Sequence, residues 1–131
     1  MSKPLASYSR ETRLKCRHGF YLKVTESGVE GSRDSDDRYT TLTMESVKTA
    51  EVMLRGNVSG NYIAMNTKGE LYSTNSPTHP ECVFKEIFGT KYNSYQSTLN
   101  PAWYLALTKQ GEAKYGPKTK PGQRAVGFIA E

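Results

Sequence analysis

An all-β fold of three pseudo-equivalent units is what this sequence predicts, and three observations carry the prediction. First, a nine-residue run recurs. Phe20-Tyr21-Leu22-Lys23-Val24-Thr25-Glu26-Ser27-Gly28 is echoed by Asn61-Tyr62-Ile63-Ala64-Met65-Asn66-Thr67-Lys68-Gly69 and by Trp103-Tyr104-Leu105-Ala106-Leu107-Thr108-Lys109-Gln110-Gly111. Each has a tyrosine, an aliphatic neighbour, an apolar residue three on and a glycine seven on, and the glycines are 41 and 42 residues apart. Second, Leu42, Phe84 and Phe128 repeat at a similar interval, so three units of 41 to 44 residues nearly fill the 131-residue chain. Third, the apolar pattern alternates at period two, as half-buried strands require. Internal periods of ~20–50 residues mark solenoids, propellers or closed arrays. Three units are too few for a capped solenoid and suit a closed three-fold barrel. The prediction is a β-trefoil of about twelve strands, four per repeat.

Taken in order, residues 1–12 read as a flexible N-terminal arm, with Pro4, three serines and no apolar alternation. Residues 13–131 read as a single domain. Its strands are seeded by Tyr21/Lys23, Leu42/Met44, Val52/Leu54 and Phe84/Glu86. Glu26-Ser27-Gly28, Thr67-Lys68-Gly69 and Lys109-Gln110-Gly111 are hairpin turns in which glycine takes the positive-φ position. Gly56-Asn57-Val58-Ser59-Gly60 is a further hairpin tip. Ser76-Pro77-Thr78-His79-Pro80 and Asn100-Pro101 are loops. Proline and glycine interrupt every candidate amphipathic helix. Leu22, Ile63, Leu105, Phe84 and Phe128 are the expected core.

The net charge is +5, unevenly spread. Residues 1–25 carry six Lys/Arg against one acid, residues 26–87 six against ten, and residues 88–131 six against two. In a closed barrel the termini meet, so the two basic ends would share one surface and attract polyanions. No stretch reaches the roughly 18 apolar residues of a membrane helix, and no signal-like segment opens the sequence, so any secretion signal is absent or already removed. Cys16 and Cys82 could pair in an oxidising compartment; they are read instead as buried free thiols that behave as small hydrophobes.

No catalytic grouping is visible. His18 and His79 sit outside any nucleophile, metal or acid–base motif, and no P-loop, nucleophile elbow or dinucleotide fingerprint is present. The pairs Asp36/Asp37 and Glu81/Glu86 read as solvated charge. The strongest functional signal is basic. Lys109, Lys114, Lys118, Lys120 and Arg124 fall within sixteen residues opposed only by Glu112, interleaved with Gly111, Gly116, Pro117, Pro121 and Gly122. Such a loop can present ammonium and backbone N–H groups together, which sulfates accept. Tyr115 alone is a weak stacking platform, so nucleic acid fits less well. Asn57-Val58-Ser59 is an N-glycosylation sequon.

Several segments resemble the fibroblast growth factors. Tyr62-Ile63-Ala64-Met65 with Gly69-Glu70-Leu71-Tyr72 is like the family's Tyr-Leu-Ala-Met…Gly-x-Leu-Tyr run. Glu81-Cys82-Val83-Phe84-Lys85-Glu86 and Tyr92-Asn93-Ser94-Tyr95 are similar to Glu-Cys-x-Phe-x-Glu…Tyr-Asn-x-Tyr. Gly116-Pro117-Lys118-Thr119 and Gly122-Gln123-Arg124-Ala125 match its heparin-binding stretch. The resemblance covers roughly residues 13–129 and implies a β-trefoil. It implies a secreted, extracellular mitogen that binds heparan sulfate as co-ligand, with no cofactor, and the ectodomain of a fibroblast growth factor receptor tyrosine kinase, promoting receptor dimerisation. By resemblance the heparin-binding residues are His18, Lys109, Lys114, Lys118, Lys120, Gln123 and Arg124, with His18 where the family has a glycan-contacting Asn. The receptor-binding residues are Arg33, Glu86, Tyr92, Asn93 and Ile129, while Lys15 stands where many members have a receptor-contacting Tyr. No enzymatic activity, metal, nucleic-acid partner or membrane insertion is expected, and the isolated chain is expected to be a monomer. The alternative reading is an intracellular fibroblast growth factor homologous factor that docks on a cytosolic or channel partner.

Overall fold

The computed structural model describes residues 8–78 and 80–131. Among them are eleven strands and three single-turn 3-10 helices. The strands are β1 (Tyr8–Thr12), β2 (Leu14–Cys16), β3 (Tyr21–Thr25), β4 (Gly28–Ser32), β5 (Leu42–Lys48), β6 (Glu51–Gly56), β7 (Tyr62–Met65), β8 (Leu71–Thr74), β9 (Phe84–Ile87), β10 (Ser94–Ser97) and β11 (Phe128–Ala130). The 3-10 turns span Arg38–Thr40, Gly116–Lys118 and Arg124–Val126. All strand pairs are antiparallel. One sheet runs β1-β5-β6-β7-β8, with β9 also on β6 and β10 on β9; the other runs β11-β2-β3-β4.

The sequence repeat is a structural one. In each of the three turns, a polar side chain at the end of the run accepts from the amide two residues on: Ser27 N to Thr25 Oγ1 at 3.2 Å, Lys68 N to Asn66 Oδ1 at 2.9 Å, and Gln110 N to Thr108 Oγ1 at 3.3 Å. This local bond closes the turn and leaves the strand ladders to the main chain. The aliphatic positions Leu22, Ile63 and Leu105 are fully buried, as are Leu42 and Phe84, and Phe128 is nearly so. They meet Leu14, Val24, Leu54, Met65, Tyr95 and Leu107 in one core. Both cysteines are buried and free.

Two expectations change. Residues 8–12, assigned to a flexible arm, form β1 and pair with Leu42–Ser46. Four of the five are exposed, so this edge strand lacks the apolar alternation that would have marked it. Residues 1–7 of that arm lie outside the described residues, as does His79. The third repeat also has fewer strands than the other two. Around Trp103–Lys114 the chain makes only isolated bridges, Gln96 with Tyr104, Glu30 with Glu112 and Leu107 with Ala113. Its amides bond to scattered partners: Leu105 N to Tyr95 O, Leu107 N to Ala125 O and Lys114 N to Ala106 O. No continuous ladder grows.

The termini of the domain meet. Besides the β11–β2 pairing, Arg13 and Glu131 exchange two backbone hydrogen bonds of 3.0 and 2.8 Å, and Tyr21 OH donates to Glu131 Oε1 at 2.9 Å. The two basic ends of the sequence are thereby brought onto one side. At the β6–β7 hairpin, Asn57 is a clasp. Its Oδ1 accepts from Thr43 Oγ1 at 2.5 Å and its Nδ2 donates to Glu11 Oε2 at 2.6 Å, tying β1 to the β6–β7 tip.

Candidate functional site

The basic segment Lys109–Arg124 is held by its backbone rather than by its charged side chains. Gly111 sits at φ +83° over the Phe20 ring, and its carbonyl accepts from Gly31 N at 2.7 Å. Gly116 N donates to Gly69 O at 2.8 Å, packing the Gly116–Lys118 turn against the second repeat's turn. Thr119 is buried; its hydroxyl donates to Gly116 O at 2.6 Å and accepts from Tyr104 N at 2.9 Å. Gln123 organises the rest. Its Oε1 accepts from Lys114 Nζ at 3.3 Å and Lys120 N at 3.1 Å, and its Nε2 donates to Lys118 O at 3.4 Å.

The result is an open cleft of about 410 Å³ lined by His18, Thr108, Lys109, Gln110, Lys114, Gln123, Arg124 and Ala125. Five of the seven residues expected to bind glycan thus face one concavity. Lys118 and Lys120 are exposed and do not line it; they flank it through their backbone bonds to Gln123. No lining residue is acidic. His18 reports the local potential: burial first, then Arg124, Lys109, Lys114 and Arg17, hold its imidazole below the ordinary value. A rigid concavity with converging cations and no opposing carboxylate selects an anion with several acceptor oxygens. Sequence reasoning missed Gln110 and Thr108 as lining residues.

Gln123 also borders a second, smaller groove of about 140 Å³ that includes Arg17, Tyr92, Asn93 and Gly127. The Arg17 guanidinium lies 4.6 Å from the centroid of the Tyr92 ring and Lys91 Nζ 5.7 Å from it. Asn93 exchanges backbone hydrogen bonds with Phe128, next to Ile129 in β11. Tyr92, Asn93 and Ile129 therefore belong to one neighbourhood. Glu86 is joined to it indirectly. It is 7% exposed and accepts from the Tyr95 hydroxyl at 2.8 Å. Burial, then the Glu86 charge and hydrogen bond, push the Tyr95 hydroxyl pKa far up. Glu86 also lines a separate cleft with Tyr8, Arg10 and Phe88, and Tyr8 and Phe88 are 63% and 69% exposed. Arg33 is apart from these. Its guanidinium stacks 4.1 Å from the Phe20 centroid, beside Gly19 and the His18 turn. Among the described residues no grouping of His, Cys, Asp and Glu could hold a metal ion, and no helix is long and apolar enough to cross a membrane.

An all-β scaffold that displays clefts and aromatic–cation pairs is the architecture of a binding protein. The comparisons with known proteins say which kind. The family model described as Fibroblast growth factor matches residues 10–129. Fibroblast growth factor 2 of Xenopus laevis is 34% identical over 125 residues, covering 94% of this chain and 81% of the relative. Fibroblast growth factor 1 of the same organism is 34% identical over 133 residues, covering 98% and 85%. Fibroblast growth factor 4 of Gallus gallus is 37% identical over 128 residues, covering 95% and 66%. The chain belongs to the fibroblast growth factor family. Its relatives are growth factors, not enzymes.

Proposed function

We propose that this chain is a secreted growth-factor ligand that binds heparan sulfate through the basic cleft and a fibroblast growth factor receptor ectodomain through the Tyr92 neighbourhood. The observation that carries the reading is the convergence of His18, Lys109, Lys114, Gln123 and Arg124 on one acid-free concavity. Sulfates need several cations and N–H donors at once, and Lys118 and Lys120 extend the charge beyond the cleft. The mechanism is non-covalent. A glycan held by ligand and receptor together raises the effective concentration of the second binding step and promotes receptor dimerisation. On the receptor side, Tyr92 with Asn93 and Ile129 supplies an aromatic anchor of the type that dominates interface energies. Glu86 acts there by holding Tyr95 rather than by free contact, and Arg33 forms a separate point of attachment.

The test is elution from immobilised heparin in a salt gradient. Each ion pair with a polyanion releases counterions, so affinity falls log-linearly with salt. Lys114→Ala with Lys118→Ala removes one half-buried and one exposed cation; away from the core, stability changes are usually within about 0.5 kcal/mol. The double variant should elute at clearly lower salt with an unchanged circular dichroism spectrum. Elution at the same salt would reduce the basic run to a solvated face. In parallel, Tyr92→Ala should weaken receptor-ectodomain binding by about 2 kcal/mol or more.

A further inference from the structure

The basic cleft contains one group able to change its charge near neutral pH, the His18 imidazole. The turn that carries it is fixed by Cys16 N to Phe20 O at 2.8 Å and Gly19 N to Cys16 O at 2.9 Å. The charged groups around it come from every neighbouring segment, and all are cations. Arg17 is in the same turn. Lys109 comes from the third repeat's hairpin turn, Lys114 from the segment after it, and Arg124 from the last 3-10 turn. Arg33, from the loop after β4, reaches Gly19 next door. The remaining cleft-lining side chains, Thr108, Gln110, Gln123 and Ala125, are neutral. Nothing in this arrangement favours a proton on His18 while the cleft holds no anion, and burial opposes it too.

We propose that the cleft is a proton-coupled anion site: His18 takes up a proton as a sulfated glycan settles among Lys109, Lys114 and Arg124, so glycan affinity rises as pH falls. The inference rests on the glycan reading above and adds a regulation to it. A bound sulfate neutralises the cations that disfavour the imidazolium and gives its new N–H an acceptor, reversing both effects. The proton comes from solvent or buffer; no covalent bond forms or breaks. Binding that consumes a proton must strengthen on acidification, because the linkage between proton and glycan is reciprocal. Each unit by which binding raises the imidazole pKa is worth up to about tenfold in affinity at low pH. The glycan's sulfates stay ionised throughout, and its carboxylates titrate well below pH 5.5, so the pH dependence belongs to the protein. A ligand with this property would hold its matrix more tightly in acidified tissue.

The test uses the full chain and a heparin octasaccharide, titrated calorimetrically at pH 5.5 and 7.5, and at pH 6.0 in two buffers of different ionisation heat. Wild type should bind about three- to tenfold tighter at pH 5.5, and the buffer dependence should report net proton uptake. His18→Gln should abolish both the pH step and the uptake, whereas His79→Gln should keep both. As a check independent of any variant, the His18 ring resonances of the wild type should titrate at higher pH with octasaccharide than without. Binding that is flat with pH, or uptake that survives in His18→Gln, overturns the inference and leaves the glycan reading standing. No octasaccharide binding at either pH overturns the glycan reading and this inference with it.

Discussion

Gly111→Ala should destabilise the domain by about 2–5 kcal/mol, while Gly122→Ala, at nearly the same backbone angle, should cost only about 1–2 kcal/mol. The two glycines have φ of +83° and +87°, so the left-handed penalty on a Cβ is shared and is about 1–2 kcal/mol. They differ in what the Cβ would meet. At Gly122 nothing lies within 4 Å; at Gly111 the Cβ would fall 2.6 Å from Phe20 Cε1 and 2.8 Å from Cδ1. The ring has little room to step aside. A Cβ built at Gly31 would lie 2.7 Å from Phe20 Cβ, so that backbone abuts it, and the Arg33 guanidinium lies 4.1 Å from the ring centroid. Forcing a methyl group into such a contact typically costs about 1–3 kcal/mol more. Urea denaturation is the assay, with midpoints compared at a common slope. The loss is large against a typical domain stability of about 5–15 kcal/mol. Equal losses for the two variants would refute the packing argument, and negligible losses for both would refute the backbone argument as well.

Three further outcomes are expected. The Asp37 carboxyl is drawn upward by burial, but the 2.9 Å Lys23 ion pair, the Tyr39 amide and the Ser32 hydroxyl outweigh this and hold it below its ordinary value. The unfolded chain then binds the extra proton, so this contribution is complete above about pH 4 and is lost as pH falls through the folded pKa; Asp37→Asn should flatten the acid limb of a stability–pH curve. Tyr95→Phe removes the hydroxyl that Glu86 accepts from inside the core and should cost about 1–3 kcal/mol in denaturant, with a Glu86→Gln background recovering part of it. Cys16 and Cys82, buried and free, with burial raising the Cys82 thiol, should resist alkylation in the native chain and both label, without reductant, once it is unfolded. A mass that shows neither labelled would mean a disulfide.

What the sequence determined by itself is whatever local pattern encodes. Side chains alternate across a strand, so Tyr21-Leu22, Tyr62-Ile63 and Tyr104-Leu105 announced three equivalent segments and their buried aliphatic positions. Turns are closed within a few residues, so Gly28, Gly69 and Gly111 mark three like turns along the chain itself. The cations of Lys109–Arg124 could be counted along the chain because they are close in it. Tertiary structure decided the rest, through strand pairings that local pattern does not encode. β1 exists because Leu42–Ser46 offers it an edge; its own residues are too exposed to announce it. His18 becomes part of the basic cleft because β11 closes onto β2, setting residues ninety or more apart side by side. Glu86 reads as solvated charge in sequence and lies buried against Tyr95, because only the β9–β10 register sets that hydroxyl beside it. Charge and periodicity are properties of the chain; the company each charge keeps is settled by long-range strand pairing, which no short stretch of sequence contains.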